Sequence, residues 1–157
     1  MVSVLRCSPL NRALCFWKVQ MKAHNDKALR QKYSVCLMSN HKWKKFFLVM
    51  AEYGADFSGI EYHFTDTEKV FFGNAPSNQQ VWDSAIDDPV KGCGGPVEYK
   101  HIERICIPKT YSYQPYENAP TTYRDLNLER FLMELCKVGE FPIVRTDKGI
   151  EILGYET

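Results

Sequence analysis

The sequence predicts an α+β domain: a mainly antiparallel sheet of about five strands with about three helices packed on it, in the order ααβββαββ. Three observations lead there. Apolar residues recur every three or four positions in the first third of the chain and again between Leu128 and Leu135. Between Ile60 and Phe64 they alternate with polar ones instead. Gly, Pro, Asn and Asp punctuate each change of period. No internal repeat or long linker divides the chain, so residues 21–157 read as one domain. Residues 1–20 lack a clean period and end before a second methionine, Met21; they read as a poorly ordered arm.

In "NDKALRQKYSVCLM" Asn25 offers a cap, and Leu29, Tyr33 and Cys36 or Leu37 form the stripe of a first helix. A second helix follows in "SNHKWKKFFLVMAEYGA". Ser39 or Asn40 caps it, Trp43, Phe46, Phe47 and Met50 make its apolar face, and Gly54 stops it. Ile60, Tyr62 and Phe64 then alternate with Glu61, His63 and Thr65, the period of a strand. Thr65-Asp66-Thr67-Glu68 is a turn, and "KVFFG" is the returning strand.

Residues 73–97 read as an irregular connection around Trp82 and Ile86. "YKHIERICIP" is a third strand that Pro108 ends, because proline has no N–H to donate. "KTYSYQPYENAPTTY" reads as a loop. The third helix carries Leu128, Phe131, Leu132 and Leu135 on one face, capped by Asp125 or Asn127 and ended by Gly139. Two closing strands flank the tight turn Asp147-Lys148-Gly149.

Composition narrows the function. The 157 residues hold 20 basic and 19 acidic side chains, so no whole-protein field attracts a phosphate backbone. The charges are uneven, however. Residues 1–50 carry Arg6, Arg12, Lys18, Lys22, Lys27, Arg30, Lys32, Lys42, Lys44 and Lys45 against Asp26 alone. A nucleic-acid-binding module using these basic helices, with Trp43 as a stacking platform, is one alternative reading. It is not the expected one, because Trp43 shares its face with Phe46, Phe47 and Met50 and reads as core. The opening twenty residues are broken by Arg6, Pro9, Asn11 and Arg12, so no secretory leader is read, and no apolar run is long enough to span a membrane. The cytoplasm is the expected compartment, with Cys36, Cys106 and Cys136 as small core residues.

Catalytic signals are sparse. Cys93 sits in "GCGGP" and is the alternative candidate, as the nucleophile of a cysteine-dependent enzyme. A strand rather than a helix follows it, so no helix dipole lowers its pKa. There is no CxxC, and His24, His41, His63 and His101 are isolated, so no metal site and no cofactor are expected. "GCGGP" also lacks the Lys-Ser/Thr of a phosphate-binding loop. What stands out is a concentration of Tyr111, Tyr113, Tyr116 and Tyr123 in one loop. Tyrosine gives contact area at little cost in rotamer entropy, so this is the expected protein-binding region. Asp66, Glu68, Asp87 and Asp88 are the acidic candidates for the same surface.

Met38-Ser39-Asn40-His41-Lys42-Trp43, the strand "VEYKHIERICIP" and the tail "FPIVRTDKGIEILGY" together resemble a small bacterial family of unknown function. That family has a Met-Asn/Ser-Asn-x-Lys-Trp motif and a Gly-Ile-x-Ile-x-Gly-Tyr tail. The resemblance covers roughly residues 26–155 and implies a bacterial cytoplasmic protein. It implies no activity and no catalytic residues. The expectation is therefore a non-enzymatic protein-binding domain. By analogy of size and type, an immunity protein or antitoxin that neutralises a toxin is the specific form of it.

Overall fold

A computed structural model describes residues 31–90 and 94–157. The expected arm over residues 1–20, the Asn25 cap, Leu29 and Cys93 lie outside the described residues.

The α+β architecture is as expected at its centre. Five strands form one antiparallel sheet: β2 (Ile60–Phe64), β3 (Val70–Gly73), β6 (Ile102–Pro108), β9 (Ile143–Arg145) and β10 (Gly149–Leu153). Their spatial order is β3-β2-β6-β10-β9. Ile60, Tyr62 and Phe64 point into the core because a strand alternates faces, and Ile105, Ile107, Ile150 and Ile152 join them from β6 and β10.

Two helices contribute to the same core. Helix α1 (Asn40–Tyr53) begins where the Ser39 hydroxyl accepts from the Lys42 N–H, and Gly54 ends it. Its Trp43, Phe46, Phe47 and Met50 are buried, so Trp43 is core rather than a stacking platform. Helix α2 (Leu128–Val138) is capped by Asn127, whose side chain accepts from the Arg130 N–H, and buries Leu128, Phe131, Leu132 and Leu135. Phe46 of α1 meets Phe131 of α2 edge-on at 5.9 Å, and Phe47 stacks on Tyr99 at 5.7 Å.

Several expectations are corrected. The first helix does not run to Leu37. Only Gln31 and Lys32 are helical at its described end, and Val35–Cys36 form strand β1. β1 pairs antiparallel with β11 (Tyr155–Glu156) at the far end of the chain. A partner that distant is invisible to local periodicity. Two complete helices, not three, stand among the described residues, and the order ααβββαββ is matched only roughly.

Cys36 and Cys136 are exposed and Cys106 is half-buried, so none is the fully buried core residue expected. Residues 73–97 hold more structure than an irregular connection, with a 3₁₀ turn at Asn78–Gln80 and β4 (Ala85–Ile86) paired to β5 (Val97–Glu98). Ile86 is wholly buried there while Trp82 is exposed. Tyr99–His101 form a 3₁₀ turn ahead of β6 rather than the start of that strand. The tyrosine-rich segment is not a loop but a hairpin.

Candidate protein-binding surface

That hairpin is β7 (Thr110–Tyr113) and β8 (Thr122–Asp125), antiparallel and outside the main sheet. Thr-Tyr-Ser-Tyr alternates residues of high strand propensity, which is why it extends. Pro108 ends β6, and the chain is then clamped at the hairpin's base. The Lys109 N–H donates to the Lys148 carbonyl and the Leu126 N–H to the Lys109 carbonyl, each at 2.8 Å. The Thr110 and Thr122 hydroxyls donate across the ladder to Asp125 and to the Tyr113 carbonyl, each at 3.1 Å.

The tip is ordered as well. Gln114 Nε2 donates to the Ala119 carbonyl at 2.7 Å, and the Ala119 N–H donates to the Tyr116 carbonyl at 3.0 Å. Asn118 takes the left-handed conformation, φ 67°, that asparagine tolerates better than most residues.

The four tyrosines divide between different surroundings. Tyr113, Tyr116 and Tyr123 are 42%, 69% and 74% exposed. Tyr111 is half-buried, its ring lying over Gly59. Tyr111 and Tyr113 share one face, with ring centroids 6.4 Å apart and the Arg124 guanidinium 5.9 Å from the Tyr113 ring. Tyr123 pairs with Ser112 in the register and therefore faces the other way. The hairpin thus presents aromatics on both faces and at its tip.

The acidic candidates do not form one surface. Asp66 and Glu68 are exposed on the turn between β2 and β3. Tyr111, Gly59 and the end of β3 lie at the opposite end of the sheet from that turn. Asp88 is on the hairpin's side of the molecule. It lines a groove of about 460 Å³ with Gly59, Phe72, Asn74, Pro76 and Pro89, and Phe72 is 61% exposed. Gly59 belongs both to this groove and to the floor under Tyr111, so the two are continuous. Asp87 is half-buried, and its backbone N–H donates to the Gln80 carbonyl at 2.8 Å.

One cluster was missed entirely in the sequence. Glu61 and His63 on β2 meet Cys106 on β6, all three half-buried. The Glu-x-His spacing on an alternating strand was the available signal. Cys106 joins only through the pairing of β2 with β6. Its thiol is pushed up to about 12, first by burial and then by the negative charge of Glu151, so without a metal it stays neutral rather than a ready nucleophile.

The described residues therefore define an α+β domain with a five-stranded antiparallel sheet and a tyrosine hairpin outside that sheet. Among them no helix is long and apolar enough to cross a membrane. No family model matches the chain, and no curated protein or solved structure matches it either.

Proposed function

We propose that this protein is a non-enzymatic binding domain whose partner is another protein, and that the β7–β8 hairpin with the adjoining groove is the binding face. One observation carries the reading. Tyr113, Tyr116 and Tyr123 are exposed on a hairpin that hydrogen bonds hold in place. Large amphipathic side chains fixed before binding lose little entropy on contact, and interface energy concentrates in such residues. Asp88 at the groove suits a partner with a basic side chain to insert there. A cytoplasmic bacterial toxin neutralised by an immunity protein or antitoxin is the specific partner class proposed, by analogy of size and type. The basic helix α1 supports a nucleic-acid reading less well, because Trp43 is core and Lys44 is paired with Asp83.

Affinity capture tests this, with the wild-type chain and a Tyr116→Ala/Tyr123→Ala variant as parallel baits. A bacterial protein retained by the wild type should bind the variant at least about tenfold more weakly, the equivalent of about 1.4 kcal/mol. Equal binding by a variant that melts normally would remove the hairpin from the interface.

A further inference from the structure

With the helices on one face of the sheet, every second residue of β2, β6 and β10 points to the other. The register places Glu61 opposite Cys106, and Cys106 opposite Glu151, while His63 faces Arg104. Across this face one ligand atom each from Glu61, His63 and Cys106 lies within 4.8 Å of the other two. His63 Nε2 and Glu61 Oε2 are 3.3 Å apart.

We propose that Glu61, His63 and Cys106 form a divalent-metal site that takes Zn²⁺ on the sheet face turned away from the helices. The proposal does not depend on the hairpin's role, and it departs from the sequence expectation of no metal.

The donor set is the first argument. A thiolate, an imidazole and a carboxylate are the three ligand types zinc accepts, and a carboxylate with a thiolate neutralises its two charges. Geometry is the second. Zinc–ligand bonds of 2.0 to 2.3 Å put the ligand atoms of a tetrahedral site roughly 3.3 to 3.8 Å apart. The His63–Glu61 separation is already in that range, and Cys106 needs a side-chain adjustment of at most about 1.5 Å.

Rigidity is the third. All three residues stand on paired central strands, not on loops, so little ordering is left to do when a metal arrives. On binding, the thiol proton of Cys106 leaves to solvent and the sulfur becomes the ligand. Glu151 stands opposite Cys106 in the register, with Arg104 3.9 Å from its carboxylate. It falls outside the group of three, which leaves the fourth position to water. Three protein ligands and one solvent position is the form of site that keeps a place for an exogenous ligand.

The test uses the full chain, reduced, freed of metal by a chelator, and titrated with Co²⁺ and then Zn²⁺. One equivalent of Co²⁺ should bind with a thiolate-to-cobalt charge-transfer absorption that Zn²⁺ removes. Cys106→Ser should abolish that absorption, and Cys36→Ser should leave it intact. His63→Gln and Glu61→Gln should each keep the absorption while weakening Zn²⁺ binding by at least about tenfold. No charge-transfer absorption in the wild type would overturn the site. So would its survival in Cys106→Ser, or its loss on replacing Cys7, Cys15 or Cys93 instead. If Cys106→Ser does not fold, unchanged Zn²⁺ affinity in both His63→Gln and Glu61→Gln overturns it equally.

Discussion

Tyr33 lies stacked on Tyr155, ring centroids 4.7 Å apart and planes inclined by 29°. The Tyr33 hydroxyl donates to Glu103 at 2.6 Å, and the Tyr155 hydroxyl donates to the Lys100 carbonyl at 2.6 Å. This pair fastens the described beginning of the chain to its last strand, Tyr33 to β6 and Tyr155 to the 3₁₀ turn ahead of it. Tyr33→Ala should therefore cost about 2 to 4 kcal/mol in urea unfolding, close to other buried aromatic truncations. Tyr33→Phe, which keeps the stack and loses only the hydrogen bond, should cost about 1 kcal/mol. A Tyr33→Ala variant within about 0.5 kcal/mol of wild type would mean that the stack contributes nothing to folding.

Helix α2 offers a phase test. Leu132 is buried and its neighbour Met133 is 63% exposed. Leu132→Ala should lower stability by about 2 to 5 kcal/mol, and Met133→Ala should change it by less than about 0.5 kcal/mol. Similar losses at both positions would contradict the assigned face.

Gly154 tests a close approach rather than a turn. A Cβ at this position would overlap the Ile102 carbonyl oxygen, and it would stand 2.9 Å from the Glu103 carbonyl and 3.2 Å from the Trp43 ring. Two of these neighbours are backbone and cannot step aside. Gly154→Ala should cost about 1 to 3 kcal/mol by overpacking, visible as a lowered melting temperature. An unchanged melt would show that β10 and β6 separate there easily.

Alkaline pH should weaken the fold. Burial raises the Tyr62 phenol well above its ordinary value; for Tyr99 burial acts first and the negative Asp83 second. An unfolded tyrosine ionises near about pH 10, whereas these two hold their protons beyond it. Above that pH the folded state binds more protons than the unfolded one, so stability falls as pH rises. The contribution is fully present below about pH 10 and is lost through the folded values. Urea titrations from pH 8 to 11 should show the decline, and Tyr62→Phe/Tyr99→Phe should make it shallower. An identical slope in that variant would assign the decline to other groups.

Local chemistry was enough for some elements. The helix caps, each narrowed to two residues of which Ser39 and Asn127 are the ones used, the stop at Gly54, the stripe from Leu128 to Leu135 and the Asp147-Lys148-Gly149 turn depend on neighbours a few residues away and are legible in the sequence. So was the alternation of Ile60, Tyr62 and Phe64, which determined the inward face of β2. The tyrosines were recognisable as a group, but Pro115 and Pro120 disguised the strands on either side of the tip. What only the tertiary structure decided are pairings between distant segments. Ser34 bonds to Glu156 across 122 residues, and that contact turns the end of an expected helix into strand β1. Cys106 meets Glu61 and His63 for the same reason: a strand's period tells which residues share its own face, whereas the register between two strands is set by everything that packs around them.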